Sequence, residues 1–232
     1  MKPPYTNTAL NCGDEQYASL ALYLHTRRTT TSSFFSPTQA NVIDPETSLL
    51  EKFSAIYSEE DDAQVNSILA QIIESEDSDL LLTAAHYFYQ LDLAEPYQHF
   101  WGECLIKAAQ LGNINAMLRL AEYNLSLDND ESINEAELVL NHAASKNSAA
   151  ANYYLANLHL DSLYRTRRGT FAGIASHFKK AAELNHKTAA YELAGMYCIG
   201  DIIGQQHAYQ QTCHWLEFSA KLGYMPAKAL LN

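Results

Sequence analysis

The sequence predicts an all-α fold: a right-handed α-solenoid of antiparallel helix pairs, with about four to five repeats. Two observations predict it. Four segments align without gaps at offsets of 35, 38 and 38 residues. Each carries apolar and small residues at helical spacing, followed by a Gly or Asn that stops a helix. The chain of 232 residues is 47% apolar and 18% charged, enough to bury a sizeable core.

The four segments are Cys104–Ala116, Val139–Ala151, His177–Ala189 and Trp215–Ala227. A large apolar residue stands second in each: Leu105, Leu140, Phe178 and Leu216. A small pair follows three residues later: Ala108-Ala109, Ala143-Ala144, Ala181-Ala182 and Ser219-Ala220. Small side chains let two helix backbones approach closely. Next come Gly112, Asn147, Asn185 and Gly223, residue types that tolerate positive φ and therefore mark a helix C-terminus. In all four cases Ala opens the next helix, at Ala116, Ala151, Ala189 and Ala227. Leu120, Leu155, Leu193 and Leu231 lie four residues on, with Ala121, Ala156 and Ala194 after the first three. Positions i, i+4 and i+5 share one helix face. Each unit is therefore expected to be two antiparallel helices of about 12–16 residues that bury their apolar faces only by stacking on neighbours.

A degenerate unit precedes these. Ile68-Leu69-Ala70-Gln71-Ile72-Ile73 matches the Cys104 segment at an offset of 36, and Leu80, Ala84 and Ala85 follow in register. Ile72-Ile73 replaces the small pair, so the helices there are expected to sit further apart or at another angle. Asp44-Pro45-Glu46 reads as an N-cap with a proline at N1. Leu49, Leu50, Phe53, Ile56 and Tyr57 then form one stripe, so a helix at about 45–58 pairs with one at about 61–75. The array is expected to span residues 44–232. Residues 1–43 read as a helix over 14–25 followed by a Ser/Thr-rich loop over 26–41.

The last unit carries Ala189, Leu193-Ala194, Tyr197-x-x-Gly200, Trp215, Ser219-Ala220, Gly223 and Ala227. This resembles the Sel-one-like repeat, a relative of the tetratricopeptide repeat. Its pattern is an Ala, a Leu-Gly or Leu-Ala step, a Tyr-x-x-Gly closing the first helix, and a Trp-Tyr-x-x-Ala-Ala-x-x-Gly second helix. Earlier units depart from it: Asn124 and His159 stand at the Tyr position, Leu127 and Ser162 at the Gly position, and the family's Gly-x-Gly-Val linker is missing. The resemblance covers residues 80–232 and, more distantly, 45–79. It implies a protein-binding scaffold without catalysis. Family members act as signalling adaptors, in host interaction, and as immunity proteins that neutralise toxins. The cysteine-rich branch bridges each repeat from an Ala-Cys-x-Leu-Gly setting. Ala109-Gln-Leu-Gly112 lacks that Cys, so no such bridge is expected.

Charge is uneven. Residues 1–140 hold 22 acids and 6 bases, a net of −16, whereas residues 141–232 hold 5 acids and 9 bases, a net of +4. An acidic surface repels phosphates, which argues against nucleic acid, and it steers in a basic protein. No run approaches the length of a membrane span, so membrane insertion is not expected. The start, Met1-Lys-Pro-Pro-Tyr-Thr-Asn7, has no apolar signal region, and a cytoplasmic location is the expectation. Cys12, Cys104, Cys198 and Cys213 lack close pairing and read as ordinary, mostly buried thiols. Cys198, His207, Cys213 and His214 are types that zinc accepts, but not at close-pair spacing. No metal and no cofactor are expected. No nucleophile elbow, phosphate loop or metalloprotease motif is present, so no enzyme is expected.

The candidate partner-binding residues follow from a tyrosine excess and from the acids. The chain has 15 tyrosines. Tyr87, Tyr89, Tyr123, Tyr153, Tyr154 and Tyr191 fall on first helices, which line the inner curve in related solenoids. Tyrosine gives large contact area at low entropy cost. Of Tyr153 and Tyr154, one is expected to face the core and the other not. Arg119, Glu122 and Glu192 share those helices. Acids cluster at Glu59-Glu60-Asp61-Asp62, at Glu74 to Asp79, and at Asp128, Asp130 and Glu131, in turns or first turns where they also favour the helix dipole. Arg165, Arg167 and Arg168 form an opposing basic patch. Together these suggest a scaffold for one protein partner, a basic toxin or effector, and most specifically a bacterial immunity protein. The alternative is a regulatory or secretion adaptor holding a peptide in its concave groove. Such grooves use repeated Lys, Arg and Asn to clamp a carboxylate, and here Arg119 is the main base.

Overall fold

A computed structural model describes residues 48–57, 61–91, 93, 97–166, 169–202 and 207–231. The expected helix at 14–25, the loop at 26–41, the Asp44-Pro45 start and the boundary at residues 43 and 44 lie outside these. The described residues form eleven α-helices and one 3-10 turn, with no strand among them. The fold is an α-solenoid of antiparallel helix pairs. Its residues fall into two compact units, one built on Phe35–Ser148 and the other on Ala149–Asn232.

The first unit contains α1 (Ser48–Tyr57), α2 (Asp62–Glu74), α3 (Ser78–Leu91), α4 (Phe100–Gln110), α5 (Ile114–Ser126) and α6 (Asp130–Ser145), with the 3-10 turn at Tyr97–His99. Packing pairs α1 with α2, α3 with α4, and α5 with α6, and α4 also packs on α5. Phe53, Leu69, Ile72, Leu81, Phe88, Met117 and Leu140 are fully buried. Phe53 contacts Phe88 at a centroid distance of 4.9 Å, which joins the degenerate hairpin to the next.

The second unit contains α7 (Ala149–Thr166), α8 (Phe171–Glu183), α9 (Lys187–Cys198), α10 (Ala208–Lys221) and α11 (Met225–Leu231). Here α7 pairs with α8 and α9 with α10, while α8 also packs on α9 and α10 on α11. Helix lengths run from 7 to 18 residues, a wider spread than the expected 12–16.

Every alanine that opens a first helix is fully buried: Ala116, Ala151, Ala189 and Ala227. The small pairs lie at the ends of second helices. Ala108, Ala143, Ala181 and Ser219 are fully buried, and their partners are buried or half-buried. Their carbonyls also close the turns. Asn113 N–H donates to the Ala108 carbonyl at 3.1 Å and Gly112 N–H to that of Ala109 at 3.0 Å. The same two bonds recur from Ser148 and Asn147 to Ala143 and Ala144, from His186 and Asn185 to Ala181 and Ala182, and from Tyr224 and Gly223 to Ser219 and Ala220. This is the Schellman ending, and it requires a left-handed residue. Gly112, Asn147, Asn185 and Gly223 supply it with φ of +93°, +60°, +67° and +87°. Where Ser occupies the small position, its hydroxyl donates to the Lys187 carbonyl at 2.7 Å and ties α10 to the start of α9.

The degenerate unit ends differently. Ile72 is buried and Ile73 half-buried, and Ser75 leaves α2 in extended backbone instead of a left-handed turn. Asp77 then caps α3, accepting from the N–H groups of Asp79 and Leu80. Two other details depart from the repeat. Leu127 stands where the last unit has Gly200, and the left-handed residue shifts to Asp128, φ +46°, because Asp tolerates that conformation better than Leu. Leu231 is 41% exposed, unlike Leu155 and Leu193, which are buried. It lies in the last turn of the short helix α11, which packs chiefly on α10.

These endings make two substitutions opposite in sign. Asn185→Ala is expected to lower unfolding free energy by about 1 kcal/mol, because a Cβ without a compensating polar group strains the left-handed turn, and Asn185→Gly to leave it unchanged or higher. Ala181→Leu is expected to cost at least about 1–3 kcal/mol by overfilling the seam. Urea unfolding of the purified variants reads all three.

Candidate partner-binding surface

The tyrosines of the first helices do not form one exposed row. Tyr89 on α3 is 67% exposed and Tyr123 on α5 is 41% exposed. Tyr87 and Tyr191 are buried, and so is Glu192. The reason lies in their surroundings. Tyr87 faces the core, edge-on to Phe53 at 6.4 Å. Tyr191 and Glu192 belong to α9, where every residue from Ala189 to Met196 is buried because α8 and α10 both pack on it. Tyr153 and Tyr154 are both half-buried, so the expected split between them does not occur. Tyr153 stacks on His186 at 4.4 Å and touches Phe178 at 5.9 Å.

The exposed pair meets a third ring. Trp101, in the first turn of α4, contacts Tyr89 at a centroid distance of 5.4 Å and Tyr123 at 5.0 Å, edge to face in both cases. Three successive helices thus bring three aromatic side chains to one surface. Sequence reasoning missed Trp101. It starts the stripe Trp101, Cys104, Leu105, Ala108, whose other members are buried, and such a stripe reads as core. Only the half-buried position of the indole reveals that the stripe reaches the surface at its first member.

The charged candidates have structural partners. The half-buried Arg119 holds Glu122 at 3.1 Å, one turn along α5. Its charge, after burial itself, lowers the proton affinity of His86 on α3. Asp61 caps α2 through the Gln64 N–H, and Asp62 accepts from the Tyr97 hydroxyl at 2.8 Å. Asn129, not an acid, caps α6, while Asp130 and Glu131 lie exposed in its first turn, where they favour the dipole. Asp128 is exposed as well. Glu59 and Glu60 lie outside the described residues. So do Arg167 and Arg168, and Arg165 pairs with Asp161 on α7 at 3.3 Å.

The thiol and histidine candidates are dispersed. Cys104 is buried, and desolvation, helped by Glu103, pushes its pKa up to about 12. Cys198 and Cys213 are half-buried, and His207 and His214 are exposed. Among the described residues no three His, Cys, Asp or Glu side chains gather where a metal ion could bind them. No helix among them is long and apolar enough to cross a membrane.

Helix pairs, alanine seams and Schellman endings define an α-helical repeat protein. The chain has the fold that solved Sel1 repeat structures display. It superimposes on a protective antigen of uropathogenic Escherichia coli that displays the SLR fold, with TM-score 0.56 and 19% identity over 83% of this chain. It also superimposes on a Sel1 repeat protein from Oxalobacter formigenes, with TM-score 0.59 and 18% identity over 99% of this chain. The chain spans 41% and 65% of the lengths of those two proteins. No protein-family model matches the sequence, and no curated protein matches it.

His186 gives the second unit a pH dependence. Its Nδ1 accepts the Ala189 N–H at 3.1 Å and so caps α9, the role Asn113 plays for α5. Burial, and then the Lys187 charge, push its pKa from 6.5 down to about 4. A protonated Nδ1 cannot accept, so the unfolded chain binds the proton first. Stability is full above about pH 6.5, falls as pH drops towards 4, and levels off below that, with a loss of about 3 kcal/mol at most. In His186→Asn the side-chain oxygen keeps the cap without titrating. Urea midpoints measured across that range should therefore lose this part of their slope.

Proposed function

We propose that the chain is a protein-binding scaffold without catalytic activity, that it works in the cytoplasm, and that its partner is a basic protein. Its most specific form is a bacterial immunity protein that binds and neutralises a cognate toxin. One observation carries the proposal. Residues 48–148 hold 18 acids and 4 bases, and Arg119, one of the four, is already held against Glu122. A field of that sign concentrates and orients a cationic protein and discourages anionic ones. The fold supports the scaffold half of the reading, because stacked helix pairs present long side-chain surfaces without assembling a reactive centre. Both structural neighbours described above come from bacteria. The engagement of Arg119 also removes the main carboxylate clamp a peptide adaptor would use, which favours a protein partner over a peptide terminus.

The test has two parts. A basic protein encoded beside this chain should bind it with affinity that falls about tenfold or more between low and high salt. Co-expression of this chain should restore growth to cells making that protein. Salt-independent binding overturns the electrostatic reading, and failure to restore growth overturns immunity.

A further inference from the structure

We propose that the Tyr89–Trp101–Tyr123 cluster is the contact centre for a cationic segment of the partner, receiving Arg or Lys side chains against its ring faces. The inference rests on the basic-partner reading above and adds where contact is made and by what chemistry.

Three features carry it. First, the rings are already ordered. The indole meets both phenols edge to face at 5.4 and 5.0 Å, the arrangement aromatic pairs prefer, so little side-chain freedom remains to be lost on binding. Second, the rings are open to an incoming group. Tyr89 is 67% exposed and Tyr123 41% exposed. Joined aromatic surface of this kind marks an interaction site, and Trp and Tyr dominate the energetics of such sites. Third, the charge around it selects the occupant. Residues 48–148 carry 18 acids against 4 bases. Glu122 adjoins Tyr123 in the chain, Glu103 lies two residues from Trp101, and Arg119 is paired with Glu122. An aromatic face attracts a cation through its quadrupole, and a surrounding negative field adds to that attraction. The same field gives no advantage to a neutral proline-rich or apolar segment.

The experiment titrates the purified full chain with three blocked decapeptides of alternating sequence, Arg/Gly, Glu/Gly and Pro/Gly, and follows tryptophan emission at low salt. Trp215 is buried in the other unit, so Trp101 is the ring placed to respond. The Arg/Gly peptide should give a saturable change. In Tyr89→Leu/Tyr123→Leu its affinity, read by calorimetry, should weaken about tenfold, with the helical circular dichroism retained, since neither side chain is buried. Undiminished Arg/Gly binding by the double variant overturns the aromatic contact and leaves the basic-partner reading standing. Preference for Pro/Gly overturns the cationic occupant. Absence of binding to the Arg/Gly peptide overturns the proposal together with the electrostatic reading beneath it.

Discussion

The interaction on which the rest depends is the close approach of backbones at the small pair ending each second helix. Two requirements meet at those residues. Their side chains must be small enough for the next helix to fold back against them, and their carbonyls must take the two N–H groups that reverse the chain. Ala108-Ala109, Ala181-Ala182 and Ser219-Ala220 meet both, and Ala143-Ala144 closes its turn with the same two bonds. Within each unit the following helix packs back on the one that ends in the pair, and the alanine that opens it (Ala116, Ala189 or Ala227) is buried. The degenerate hairpin clarifies the rule. With Ile72-Ile73 in place of the pair, the turn is no longer left-handed, and an aspartate cap starts the next helix instead.

This seam accounts for the arrangement of polar residues. Reversing the chain every dozen or so residues leaves many helix ends, and each exposes unsatisfied N–H groups. Asp61, Asp77, Asn113, Asn129, Thr170 and His186 fill that need with side-chain acceptors. Some of the chain's acidity therefore belongs to helix starts. Other acids, such as Asp128, Asp130 and Glu131, remain on the surface of the first unit. The capping acids and the surface acids are chemically alike, so a count of charges along the chain does not separate them.

Much of the fold was legible in the sequence for a physical reason. The repeat places Ala, Gly and Asn where backbone geometry leaves few other choices, and all four expected left-handed positions have positive φ. The candidate surface was less legible. Whether a tyrosine on a first helix is exposed depends on how many neighbours its helix has, and periodicity does not count neighbours. Tyr191 and Glu192 are buried because α9 is packed on both sides, although an amphipathic reading would place them outside. Tyr87 turns inward to Phe53, whereas Tyr89, two positions on, reaches Trp101. Trp101 itself shares a stripe with core residues, and its outward reach comes from standing at the helix start.

The deeply buried Cys104 has a consequence for how motion in this protein can be observed. Its sulfur is shielded and, at ordinary pH, almost wholly in the unreactive thiol form. An alkylating reagent can reach it only when α4 swings away from its neighbours, so the labelling rate is a clock for that opening. The half-buried Cys198 and Cys213 lie at the opposite end of the sequence and are open to faster modification. With Cys12, Cys198 and Cys213 all changed to serine, the one remaining thiol would time the breathing of the aromatic-bearing helices.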